Sequence, residues 1–216
     1  MDQLVEKLLH SPKKEIYLEQ INQLRREEHL ARERFLNHTT EDEKAEFING
    51  EKFVHSPTSA SHNDSGGRLV NLMGNFARAK RYGKVGDEKW MVSLTRNDYE
   101  PDICFWRMEK ASKFEPDQLR FPAPDLIVEI LSPSTEANDR GVKFEDYAAH
   151  GVGEYWTVDA DKQTVAQYSL TDGNYQLVLK SGSGMIRSET IGGFEIPITA
   201  IFDDAENLRV LKMLLG

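Results

Sequence analysis

Pro124-Asp125-Leu126-Ile127-Val128-Glu129-Ile130-Leu131-Ser132-Pro133 is the stretch on which the reading of this chain turns. Its aliphatic and β-branched residues, set between two prolines, predict a strand over 126–131. Side chains alternate across a strand. Asp125, Ile127, Glu129 and Leu131 therefore share one face, and Leu126, Val128 and Ile130 share the other. A carboxylate in such company is costly to bury unless it is compensated. An ion pair with an arginine or with Lys143 is one compensation, and an oxygen-seeking divalent cation is the other. Asp125 and Glu129 stand about 13 Å apart along the strand, too far to share one ion. Glu129 thus needs a partner from a neighbouring strand.

That partner is offered by Glu100-Pro101-Asp102-Ile103-Cys104-Phe105-Trp106, which repeats the order proline, aspartate, apolar strand. Asp102 becomes the candidate to meet Glu129, and Asp125 falls back to a secondary or purely structural place. After the loop Ser132-Pro133-Ser134-Thr135, a helix is predicted over 137–149, stopped by Gly151. It carries Lys143, with Tyr147 one turn on and so on the same face. His62 opens the first large helix and is a candidate to bind metal, place water or touch phosphate. Two carboxylates, a Mg²⁺ or Mn²⁺ ion and an ammonium group are the equipment of phosphodiester hydrolysis.

Composition narrows the alternatives. A net charge of −9 argues against a general nucleic-acid coat protein but not against a nuclease, which needs only a locally favourable field. Arg78, Lys80, Arg81 and Lys84 form one local basic group. Cys104, the single cysteine, excludes an intrachain disulfide and reads as a small buried hydrophobe. No apolar run reaches the roughly 20 residues of a membrane span. With no signal-peptide pattern at Met1-Asp2-Gln3-Leu4, a cytoplasmic location is the expectation.

The remaining pattern supplies the frame. Residues 15–35 lack Gly and Pro and carry the stripe Leu18, Ile21 and Leu24, which predicts a helical arm buried on the body or on a second subunit of a homodimer. Thr39-Thr40-Glu41-Asp42-Glu43 has the form of a helix start. Asn49-Gly50 and Asp172-Gly173 predict hairpins, and Gly83 is expected to close the first large helix. The division is an arm over 1–40 and one domain over 41–216. The fold class is α/β (α+β), a mixed sheet flanked by helices.

Taken in order, Asn49-Gly50-Glu51, Ser56-Pro57 to His62, Pro101-Asp102, the 124–135 stretch, Lys143 with Tyr147, and Gly151-Val152-Gly153-Glu154-Tyr155-Trp156-Thr157-Val158-Asp159 resemble the Uma2 family of restriction-endonuclease-like proteins, in the PD-(D/E)XK superfamily. The resemblance spans about residues 42–205. It implies a nuclease fold and a DNA substrate, with Asp102 and Glu129 as metal-binding acids and His62 as the family's histidine. The common motif places a lysine two residues after the second acid, where this chain has Leu131. The resemblance implies that Lys143 supplies it from the next helix. An inactive nuclease-fold protein that binds nucleic acid or a protein partner is the alternative.

Overall fold

The computed structural model describes residues 3–40 and 43–216. Helices α1 (Gln3–Leu9) and α2 (Lys14–His38) lead into the hairpin β1 (Ala45–Ile48) and β2 (Glu51–Val54), and then into α3 (Ala60–Lys80). Strands β3 (Gly83–Asp87), β4 (Met91–Ser93), β5 (Asp98–Tyr99) and β6 (Ile103–Arg107) precede the single turn α4 (Met108–Ala111). Next come β7 (Arg120–Phe121), β8 (Leu126–Ile130), α5 (Glu136–Asp139) and α6 (Val142–Ala149). The chain ends with β9 (Glu154–Asp159), β10 (Thr164–Thr171), β11 (Asn174–Ser181), β12 (Met185–Arg187), β13 (Glu195–Pro197) and α7 (Asp204–Leu215).

Six strands form the central sheet in the order β11-β10-β9-β8-β6-β3. Its strands pair antiparallel except β8 with β9, so the sheet is mixed. The alternation read from β8 decides what each face holds. Leu126, Val128 and Ile130 pack with Leu69, Leu72, Met73 and Phe76 of α3 and with Val210 of α7. Ile127 joins the opposite core, with Tyr147, Tyr155, Tyr99 and Trp106. Cys104 is buried in that second core. A second sheet, in the order β2-β1-β5-β4-β7, lies beside the first.

Local chemistry explains most boundaries. The Ser59 side chain accepts from the His62 backbone N–H at 3.3 Å and caps α3. The hairpin turns have the left-handed pairs expected of them, Asn49 with Gly50 at φ 53° and 94°, and Asp172 with Gly173 at 50° and 79°. Gly83, however, does not end α3. Arg81 takes the left-handed cap at φ 56°, and Gly83 begins β3. The predicted helix over 137–149 is split at Arg140–Gly141 into α5 and α6. The helix start at 39–43 includes residues outside those described, while Thr39 closes α2 and β1 begins at Ala45.

Residues 15–35 are helical as expected, but the arm's apolar stripe is not buried. Leu18, Ile21 and Leu24 are 37%, 43% and 63% exposed, so the body does not cover them. Only the end of α2 docks. Phe35 packs with Ala45, Phe47 and Met91, and the Arg32 guanidinium grips the Asp98 carboxylate at 2.6 and 2.8 Å.

The glycine at 83 is required by close approach. A Cβ there would stand 1.9 Å from the Trp106 carbonyl oxygen and 2.8 Å from the Phe105 ring. Gly74, inside α3, has nothing within 4 Å of such a Cβ. Gly83→Ala is expected to destabilise by about 1–3 kcal/mol, whereas Gly74→Ala is expected to stabilise by about 0.5–1 kcal/mol. Urea unfolding of the two variants checks both signs.

Candidate functional site

Antiparallel pairing of β6 with β8 sets Ile103 opposite Val128 and so brings the residue before β6 beside Glu129. Asp102 and Glu129 are joined through the backbone at this point. The Ile130 N–H donates to Asp102 Oδ2 at 2.8 Å, and the Asp102 N–H donates to Glu129 Oε2 at 3.3 Å. The other Asp102 oxygen, Oδ1, faces two cationic or potentially cationic groups. Lys44 Nζ lies at 2.6 Å and His62 Nε2 at 3.7 Å. Both acids line a cleft of about 670 Å³, together with His55, Glu88, Asp139 and Lys143.

Beneath the cleft, Lys143 is 1% exposed. Its ammonium lies 2.9 Å from Glu46 Oε1, 3.1 Å from Glu129 Oε1 and 3.1 Å from Asp139 Oδ1. It donates a hydrogen bond to Glu129 and lies at ion-pair distance from the other two, Asp139 having no hydrogen-bond partner for either carboxylate oxygen among the described residues. Tyr147, one turn on, donates its hydroxyl to the same Glu129 oxygen at 3.0 Å. Asp139 and Lys143, four residues apart on either side of Gly141, are both buried and face each other.

Glu46 reaches the cluster from β1. Its Oε1 also accepts from the Glu100 N–H at 3.0 Å, and Glu100 in turn accepts from the Ala45 N–H at 3.0 Å. His55 Nε2 stands 3.2 Å from Glu46 Oε2. The hairpin is thus fastened to the segment that carries Asp102.

Four carboxylates of this cluster, Glu46, Asp102, Glu129 and Asp139, face two ammonium groups, Lys44 and Lys143. The surplus of negative charge shows in the acidities. Burial, and then the neighbouring acids Asp139, Asp102 and Glu46, push the Glu129 carboxyl up to about 8 despite Lys143. Burial also raises Asp139. For Asp102, burial works upward, but the His62 imidazole and the Lys44 charge outweigh it and hold the carboxyl below its usual range. Burial likewise opposes ionisation of Glu46, and Lys143 and His55 overcome it. Lys143 is disfavoured as a cation by burial, yet its three acids raise it well above an ordinary lysine. At Glu129 burial and the neighbouring acids outweigh Lys143, and at Lys143 the three acids outweigh burial, so both partners of the pair are raised.

These residues fit a hard divalent cation. The donors are carboxylate oxygens, the cleft is open to solvent, and two positive charges would cancel the surplus. The His62 Nδ1 atom is buried with no hydrogen-bond partner, a polar group still lacking a task. Among the described residues, no group of three or more His, Cys, Asp or Glu side chains is arranged to enclose an ion. Mg²⁺ is commonly held by only one or two carboxylates, with water and substrate phosphate completing the shell. Asp102 and Glu129 would be the two.

The sequence-predicted residues therefore divide. Asp102, Glu129, Lys143 and His62 come together at one cleft. Asp125 does not. Its Oδ2 accepts from the Arg107 N–H at 2.7 Å and its Oδ1 pairs with Lys110 at 2.9 Å, tying the start of β8 to β6 and α4. The basic group at 78–84 is also elsewhere, at the end of α3 and on β3, with Lys84 over the Trp90 ring at 4.6 Å. Sequence reasoning missed Glu46, Asp139 and Lys44. Two signals were available, a glutamate inside the apolar strand Ala45-Glu46-Phe47-Ile48 and the helical spacing of Asp139 to Lys143.

Three comparisons bear on this geometry. A family model described as "Uma2: Putative restriction endonuclease" matches residues 27–199, beginning inside α2. The protein named "Uncharacterized protein slr1290", from Synechocystis sp. strain PCC 6803, is 31% identical over 157 residues, covering 69% of this chain and 79% of its own. A crystal structure described as a "putative nuclease belonging to DUF820", from Anabaena variabilis, has a TM-score of 0.67 at 19% identity. It covers 78% of this chain and 94% of that one, and shows the shared fold.

Glu129 yields a pH test. Its carboxyl has an ordinary value of 4.5 and about 8 in the fold, so the folded protein binds the extra proton between them. Metal-free stability is expected to fall as pH rises through that window, and Glu129→Gln is expected to flatten the slope. Urea unfolding in EDTA at pH 5, 6.5 and 8 measures both; equal slopes would count against the assignment.

Proposed function

This chain belongs to the Uma2 family, and from that premise we propose that it is a Mg²⁺- or Mn²⁺-dependent endonuclease hydrolysing DNA phosphodiester bonds. The observation that carries the reading is the Asp102–Glu129 pair, set in a cleft whose buried acids outnumber the ammonium groups that neutralise them. Asp102 and Glu129 would hold the ion. Bound there, a divalent cation makes a water more acidic and offsets charge on the scissile phosphate. Tyr147 and Lys143 fix the Glu129 carboxylate from below. Lys143 is thereby a positioning residue, engaged by three acids, rather than a base free to act on water. His62, buried beside Asp102, would orient water or a phosphate oxygen.

The same proposal takes residues 1–40 as an arm and 41–216 as the nuclease-like domain, in a cytoplasmic homodimer. Among the described residues, no helix is long and apolar enough to cross a membrane. The exposed side chains of Leu18, Ile21 and Leu24 support pairing through α2. Ile21→Glu with Leu24→Glu is then expected to halve the mass measured by light scattering, and a monomeric wild type would refute the dimer.

A second reading, a catalytically inactive nuclease-fold protein that binds nucleic acid or a protein partner, draws on the full engagement of Lys143 and the net charge of −9. Incubation with supercoiled plasmid and single-stranded DNA in Mg²⁺, Mn²⁺ or EDTA separates the two. The nuclease reading expects nicking with metal, none in EDTA, and loss to the EDTA background in Asp102→Asn and Glu129→Gln. Binding without cleavage in every metal favours the second reading. Lys143→Ala is a poor probe of chemistry alone. It leaves three acids without their cation and is expected to lose about 3–5 kcal/mol of stability.

A further inference from the structure

Two ammonium groups lie among the cleft's acids, and their settings differ. Lys143 is 1% exposed and engaged by three carboxylates, whereas the Lys44 side chain is 16% exposed and, among the described residues, pairs with Asp102 as its one acid. Its Nζ sits 2.6 Å from Asp102 Oδ1, the carboxylate oxygen not engaged by the Ile130 N–H. Lys44 lies outside regular structure, just before β1, on a flexible four-carbon stem. A cation thus already occupies the oxygen that a hard divalent ion would seek.

We propose that Lys44 is the resident counter-ion of Asp102, that a divalent cation must displace it, and that the released ammonium then serves as the cleft's ligand for a phosphate oxygen. The proposal rests on the metal-dependent reading above. It assigns to Lys44, on the link between α2 and β1, the substrate-facing role for which Lys143 is too fully engaged. Competition follows from charge alone. Two cations cannot share one carboxylate oxygen at contact distance without strong repulsion. Metal-free Asp102 stays neutralised, and uptake of the ion is coupled to freeing an ammonium where the phosphate arrives.

The test is calorimetric titration of the full chain with Mn²⁺ in wild type, Lys44→Met, Lys44→Gln and Lys44→Arg, each checked for folding by thermal unfolding. Removing the competing charge is expected to tighten Mn²⁺ binding by at least about tenfold in Lys44→Met. Lys44→Arg, which keeps the charge, is expected to stay near wild type. Lys44→Gln can still donate to Asp102 and serves if the methionine variant fails to fold. At saturating Ca²⁺, added so that cleavage does not intervene, Lys44→Met is expected to bind a short DNA duplex more weakly than wild type. Equal or weaker Mn²⁺ affinity in the neutral variants overturns displacement, and undiminished DNA binding overturns the phosphate role. A folded wild type that binds no Mn²⁺ at millimolar concentration overturns the metal reading and this inference with it.

Discussion

The ammonium of Lys143 holds the rest of the site in place. It collects Glu46 from β1, Glu129 from β8 and Asp139 from α5, while its own helix α6 covers the sheet. Two sheets and two helices therefore meet at one buried cation. Such a contact is a weak source of net stability, because taking charges out of water offsets most of their attraction. Its consequence is geometric. Lys143 draws the three acids to one point; without it they would have to take up protons or move apart. The aromatic packing of Tyr147 on Tyr99 and Tyr155 sets the height of α6 over the sheet and so the reach of the lysine.

That clamp leaves the cluster acidic on balance, and the functional reading grows from there. A protein selected only for stability has little reason to bury four carboxylates against two ammonium groups. Burial, and then the neighbouring acids, push the Glu129 carboxyl up to about 8, while burial at Asp102 is outweighed by the His62 imidazole and the Lys44 charge, which hold it below its usual range. Neighbouring carboxylates with acidities driven apart are common where a site awaits a cation or a substrate. The net charge of −9 and the cleft's own surplus of acid both oppose a polyanion, so a bound cation would be needed to reverse the local field.

Much of this was legible in the chain. The alternation of 126–130 assigned both faces of β8 correctly, since its period is local and both neighbours are apolar. The turns at Asn49-Gly50 and Asp172-Gly173 were legible because they need left-handed backbone. Lys143 and Tyr147 were paired by helical spacing alone. Glu46 was not, because it sits in a short hairpin strand whose partner across the cleft is about a hundred residues away. Asp139 precedes Lys143 by four residues, a helical spacing that was legible but went unused, and the break at Gly141 is local: a Cβ there would lie 2.7 Å from the carbonyl oxygen of Ala137, four residues back. Lys44 carried no signal beyond being a surface-type residue before a strand. The arm shows the opposite failure, a true helical period whose apolar stripe met no surface of its own chain.

The central claim is that Asp102 and Glu129 together hold a divalent cation above the Lys143 clamp. Crystals grown with Mn²⁺, with anomalous diffraction recorded at the manganese edge, test it most directly. The account predicts one strong anomalous peak in the cleft beside Asp102 and Glu129, with the Lys44 ammonium withdrawn from Asp102. Absence of a peak at the cleft in Mn²⁺-saturated crystals, with Lys44 still on Asp102, would contradict it.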